Sequence, residues 1–388
     1  MSKVRLGEIC TFQSGGTPSK KKDEYYHGTI PWITTVALNG KRIGETSAIE
    51  WITDRAITES AAKRVPVDSI MVGTRVGVGK VAINTVEMST NQDIISLLNI
   101  DDSIWNKDFL CKFIQSKSTY LNAQARGATI KGIKIDVLSG LELPDMSISI
   151  QKRVSRVLDA ISSMIEKSHS QMNLLDKLIK SRFVEMFGDC KTNPKNWKTV
   201  PIENIANVGS SKRVFVEELK NEGIPFFRGT EVGALAESKS MHPELFITEE
   251  HYQELINESG QPKRGDLLMP SICPDGRIWL VNTDSPFYFK DGRVLWIHDI
   301  IPTINPTFLL YTLKDRIMTD YSSIASGTTF AELKIFALKK CKIFDVPIDL
   351  QNKFESFILS VNQQKATVQK SIDKLETLKK SLMQKYFG

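Results

Sequence analysis

The sequence is poor in the residues that build covalent or metal-held frameworks. Its five cysteines (Cys10, Cys111, Cys190, Cys273, Cys341) are scattered along 388 residues and form no Cys-x-x-Cys pair. That argues against a disulfide framework and fits a reducing compartment. The five histidines (His27, His169, His242, His251, His298) stand at no ligand spacing with cysteine or carboxylate, so no metal motif can be drawn. No uninterrupted apolar run reaches about 18 residues, and Met1-Ser2-Lys3-Val4-Arg5 lacks an apolar signal core; a cytoplasmic protein is expected. Net charge is also small. Lys+Arg 51 against Asp+Glu 45 leaves a net +6, compatible with a polyanionic partner but too small to require one.

What the chain does have is itself, twice. Gly127-Ala128-Thr129 opens a run that continues through Pro144 and Gln151 to Phe187-Gly188, and Gly327-Thr328-Thr329 opens another through Gln351 to Phe387-Gly388. Gly127 and Gly327, Gln151 and Gln351, Gly188 and Gly388 are each 200 residues apart. Lys134 pairs with Lys334, Leu138 with Leu338, Leu175 with Leu375 and Leu178 with Leu378 in the same ungapped register. A fixed period of this kind means one structural unit used twice.

Each unit starts with short β-branched and aromatic segments: Ile30-Pro31-Trp32-Ile33 in the first, Ile224-Pro225-Phe226-Phe227 in the second, each proline expected at a strand edge or start. One helix-like stretch follows, roughly 107–123 and 306–322. The fold class expected is α+β: two globular domains, each a curved, mostly antiparallel sheet plus helices, separated by two long antiparallel coiled-coil helices. The boundaries drawn are 1–150 and 189–349 for the domains, 151–188 and 350–388 for the helices. Heptad rows support the helices: Val154, Ile161, Leu175 with Val157, Met164, Leu178, then Phe354, Val361, Val368, Leu375, Leu382. Each helix would run roughly 55 Å, whereas the link from Gly188 to Trp197 reaches only about 30 Å. That short link favours antiparallel helices. An extra apolar row on the first helix (Leu158, Ile165, Met172, Ile179, Met186) is wider than a two-stranded seam needs. Either the globular parts cover it, or helices of partner subunits complete a larger bundle.

Two domains at a fixed separation suit a reader of two nearby sites on DNA. The loop residues that could touch it are Lys20, Lys21 and Lys22 with Tyr25 and Tyr26, Arg75 and Lys80, Arg126 and Lys131, then Lys212, Arg213, Arg228 and Arg277. Arginine and lysine serve phosphates and guanine edges, while Asn91 and Gln92 suit adenine. The matched Gly-x-Thr turns add Thr129, Thr328 and Thr329. Catalytic motifs fail in turn. Asn305-Pro306-Thr307-Phe308 resembles the tetrapeptide of amino-methylating enzymes but lacks its second proline, and it reads as a helix N-cap followed by proline. Gly73–Val81 is only loosely a phosphate loop, with Val81 where Ser or Thr is required. No catalytic residue and no metal ligand is assigned.

Taken together, Ser14-Gly15-Gly16-Thr17-Pro18-Ser19, Ile30-Pro31-Trp32, Gly77-Val78-Gly79-Lys80-Val81, Thr90-Asn91-Gln92 and the repeated Gly-x-Thr…Gln…Phe-Gly run resemble the specificity subunit of type I restriction–modification systems, over the whole length. Unit two departs at Ser210-Ser211-Lys212, where Gly-Thr-Pro is usual, and at Cys273–Arg277, where a Gly-Lys turn is usual. The resemblance adds Trp32 to the candidate DNA contacts. It implies a non-catalytic subunit whose two domains each read half of a split double-stranded DNA target. The helices would set the gap and dock two methyltransferase subunits through the Leu158–Met186 row. S-adenosylmethionine would belong to the methyltransferase, which methylates adenine N6; ATP and Mg would belong to two restriction subunits of the full complex. A stand-alone two-domain DNA-binding regulator and a type IIB-like methylation assembly remain as alternatives.

Overall fold

A computed structural model describes residues 2–127, 131–239, 241–326 and 331–388. The chain divides into two compact units, 1–170 with 369–388, and 171–368.

In the first unit a five-stranded sheet runs in the order Thr11–Ser14, Ile94–Leu98, Ile70–Gly73, Val81–Asn84, Arg42–Ile43, antiparallel except for the last pair. Its central strands are apolar runs, not alternating ones, because both faces are covered. Ile70, Val72, Val81, Ile83, Ile95 and Leu97 pack with Phe109 and Phe113 of the helix Lys107–Ser116. Met71, Ala82 and Ile94 turn the other way, toward Ile33, Ile43, Val65 and Met88. A second sheet orders Glu50–Ile52, Tyr26–Ile33, Met88–Thr90 and Arg64–Val65.

The second unit repeats the plan. Asn207–Gly209, Val294–His298, Leu267–Pro270 and Trp279–Leu280 form an antiparallel sheet in the order of the first unit's equivalents. Phe246–Ile247, Ile224–Phe227 and Tyr288–Phe289 form a smaller one, its last pair parallel. Strand order follows from long-range pairing, which the sequence alone does not disclose. The prolines correct one expectation, since both stand in inner strands. Pro31 lies opposite Trp51 before pairing to Met88–Thr90 begins at Trp32. Pro225 lies opposite Phe246 before pairing to Tyr288–Phe289 begins at Phe226. Each occupies a stretch paired on one side only, where proline's missing N–H is tolerated.

The long helices are Ile148–Phe187 and Ile348–Phe387, 40 residues each. Within each unit, the end of one packs on the start of the other, so they run antiparallel. Phe387 joins Val154 and Leu158 in the first unit and meets Phe109 at 5.1 Å between ring centroids. Phe183 and Phe187 meet Phe354 at 5.6 and 5.4 Å in the second. Gly188 adopts φ +87, the left-handed residue that ends a helix.

Both helices start on a buried glutamine. Gln151 Oε1 accepts the Asn106 N–H at 2.8 Å, and its Nε2 donates to Ile104 O at 3.0 Å and Met146 O at 2.8 Å. Gln351 does the same with Asn305 N–H (2.8 Å), Thr303 O (3.1 Å) and Val346 O (2.7 Å). Asn106 and Asn305 in turn cap the helices Lys107–Ser116 and Pro306–Ile324.

Two outcomes follow from these packed groups. Gln351→Leu strands one N–H and two carbonyls and should lose about 3 kcal/mol, whereas Lys353→Ala at the exposed surface should stay within about 0.5 kcal/mol; urea unfolding measures both. All five cysteines are buried. Burial pushes the Cys10, Cys111 and Cys273 thiols up to about 12 and raises those of Cys190 and Cys341. At pH 8 they stay protonated and covered, so a disulfide reagent should label none before denaturation and five after.

Candidate nucleic-acid interface

In the first unit the loop after Ser14 is shaped by glycine. A Cβ on Gly15 would lie 2.2 Å from Asn91 O, and one on Gly16 would lie 2.1 Å from Ala61 O. Only glycine lets the chain pass that close. The loop is then fastened from below. The Trp32 indole donates to Gly16 O at 3.1 Å, the Tyr26 hydroxyl to Pro18 O at 2.8 Å, and the Thr17 hydroxyl to Gln92 Oε1. Trp32 and Tyr25 are buried, 4% and 2% exposed, so both are placed as supports beneath the surface. Lys20 pairs with Glu50 and lies over the Tyr26 ring at 4.5 Å. Lys22 Nζ donates to the Tyr25 hydroxyl at 2.7 Å and approaches Glu59 at 3.9 Å.

A chain of contacts leads on from this loop. Asn91, itself buried, donates from Nδ2 to Asp93 Oδ2 at 3.0 Å. Asp93 faces Arg75 at 3.7 Å. Gly132 packs against Arg75 and pairs with Arg126, bringing Lys131 alongside. The Gly77-Val78-Gly79-Lys80 segment is a tight turn joining two strands, with φ +71 and +81 at its glycines and Gly79 N–H donating to Gly73 O at 2.9 Å. Among the described residues Lys21, Lys80, Arg126 and Lys131 make no ion pair. Such uncompensated surface charges are what a phosphate can recruit.

In the second unit the Lys212 N–H donates to the Tyr288 hydroxyl at 2.9 Å, and its ammonium approaches Glu258 at 3.2 Å. Arg213 donates to Asp291 at 3.2 Å. Arg228 is held by Glu231 and Glu244, and the Glu231 hydrogen bond raises its pKa. Arg277 Nε lies 2.8 Å from Asp275 Oδ2, close but not aligned as a hydrogen bond. Arg277 also abuts Gly233 on the helix that Arg228 starts. Thr129, Thr328 and Thr329 lie outside the described residues.

On the first long helix, Leu158, Ile179 and Met186 are buried in their own units, and Ile165 and Met172 are half-buried. The open positions fall one residue earlier: Val157 and Met164 in the first unit, Leu178 in the second, with Leu174 63% exposed. One residue is about 100° around a helix, enough to carry a row that adjoins in sequence from the packed side to the open one. Sequence reasoning also passed over Phe215, Val216, Lys290 and Arg293, which line an open recess in the second unit. An exposed Phe-Val pair beside Arg213 is the signal that could have found it.

A family model described as type I restriction modification DNA specificity domain matches residues 1–175. The specificity subunit of the type I restriction enzyme MjaIX of Methanocaldococcus jannaschii is 26% identical over 404 aligned residues, covering 98% of this chain and 90% of the relative. The EcoR124I/EcoR124II specificity subunit of Escherichia coli is 29% identical over 166 residues, covering 41% of this chain and 40% of the relative. Among solved structures, a type I restriction–modification S subunit from M. genitalium superposes with TM-score 0.59 at 17% identity, covering 100% of this chain and 96% of the other. That likeness is one of fold. Relatives aligned along nearly its whole length and the family model on residues 1–175 make the chain similar to the DNA specificity subunits of type I restriction–modification systems.

Proposed function

We propose that this chain is the non-catalytic DNA-specificity subunit of a type I restriction–modification complex. The observation that carries the reading is duplication at every level. Two units share one strand order, one buried-glutamine anchor and one set of loops bearing cations. Residues 1–150 and 189–349 would each read one half of a split target, through arginine, lysine and amide contacts to phosphates and base edges.

The helices 151–188 and 350–388 set the unread gap and dock two methyltransferase subunits, which carry S-adenosylmethionine and methylate adenine N6. Two restriction subunits, with ATP and Mg, complete the assembly. Val157 and Met164 in one unit and Leu174 and Leu178 in the other stay exposed. Apolar helix positions left open in this way suit partner helices and weigh against a stand-alone regulator, which would cover its own stripe. The half-buried Ile165 and Met172 adjoin these open positions.

Expression with and without the associated methyltransferase, followed by genome-wide mapping of modified adenine, tests this. A two-part motif with a fixed gap should appear only when both proteins are present. Absence of methylation from a soluble, associated pair would overturn the reading. Deleting one heptad from each long helix, about 10 Å or roughly three base pairs of DNA, should shorten the gap and leave both half-sites unchanged. An unaltered gap would refute the ruler.

A further inference from the structure

The recess in the second unit that the motifs did not disclose is an open hollow of about 300 Å³ lined by Arg213, Val214, Phe215, Val216, Lys290, Asp291 and Arg293. Three cations face one carboxylate there. Phe215 and Val216 are 56% and 78% exposed, an unfavourable place for apolar side chains unless something covers them. The tip that carries them is rigid. Val214 is buried beneath it, the Glu218 side chain accepts the Phe215 N–H at 2.7 Å, and Glu218 N–H donates to Phe215 O at 3.1 Å.

The guanidinium groups are held as well. Asp291 takes the Nε–H of Arg213 at 3.2 Å, leaving both terminal nitrogens of a 68% exposed side chain free to point outward. Asp291 is itself fixed, with Lys290 Nζ 3.3 Å from its other oxygen and its carbonyl accepting Arg293 N–H at 2.7 Å. Arg293 is tied through one terminal nitrogen to Glu332. The turn between them is locked at Gly292, φ +62, whose N–H donates to Ser210 Oγ at 2.9 Å.

We propose that this recess is where the second unit reads bases: Arg213 takes the O6 and N7 edge of a guanine, Phe215 and Val216 cover the C5-methyl of an adjacent thymine, and Arg293 holds a flanking phosphate. The proposal rests on the DNA-specificity reading above. A guanidinium oriented by a carboxylate and offering two parallel donors matches guanine. A small apolar surface beside it matches the one apolar group in the major groove.

The test uses the full chain co-expressed with its methyltransferase, with adenine methylation mapped and binding measured on the target found. Arg213→Lys, which cannot form the fork, should lower the preference for guanine at one position of the second half-site by about 5- to 150-fold. Replacing the thymine by deoxyuridine should weaken binding about fourfold, and Phe215→Ser should abolish that difference. Arg293→Gln should weaken all sequences alike and reduce the salt slope by about one. All three positions are exposed, so urea midpoints should match the wild type.

Second half-sites that stay unchanged in Arg213→Lys and Phe215→Ser, in a chain whose wild type yields a two-part motif, would overturn this proposal alone. A wild type that yields no two-part motif would overturn the function and this proposal with it.

Discussion

A side-chain amide with no exposed surface sits at the root of each long helix, and within each unit it ties the helix start to the loop and sheet beside it. Gln151 and Gln351 each satisfy one backbone N–H and one carbonyl in the loop that enters the capped helix of their own unit, and a second carbonyl just before the long helix itself. A buried amide left without those partners would be costly, so the helix start, the loop at Asn106 or Asn305 and the sheet behind it form one body. A specificity subunit needs that rigidity. A ruler helix fixes the spacing of two reading surfaces only if neither surface swivels where the helix leaves it.

The loops proposed to meet DNA obey a second constraint, which is the close approach of backbone to backbone. Gly15 and Gly16 let the first loop run against Asn91 and Ala61, and Trp32 and Tyr26 fasten it from beneath. In the second unit Ser210 and Gly292 do comparable work by hydrogen bonding, with Ser210 Oγ donating to Val294 O at 2.7 Å. Different residues thus hold corresponding loops, and the charges they carry differ accordingly. Divergent loops on a duplicated scaffold are what two unlike half-sites require.

Much of this was legible because the duplication is written in the sequence. The 200-residue register exposed the helices, the paired glutamines and the Phe-Gly helix ends before any coordinate, and Asn305-Pro306 read correctly as a cap. Strand order was hidden, since it depends on pairings such as Thr11–Ser14 with Ile94–Leu98 that no local pattern encodes. The face of the first helix was hidden for a sharper reason. Val157 and Leu158, like Met164 and Ile165, are both apolar, and only the packing of Phe387 and the sheet decides which turns inward. Trp32 and Tyr25, read as candidate DNA contacts, lie buried beneath the loop they brace, a depth that residue type alone does not reveal. Phe215 and Val216 escaped notice because one apolar pair in a polar loop has no periodicity.

The central claim, that each unit independently reads one half of the target, is tested most directly by a chain in which residues 189–349 also replace residues 1–150. Co-expressed with the methyltransferase and mapped by adenine methylation, it should recognise a split target whose two halves are both the original second half. Retention of the original first half would contradict the account.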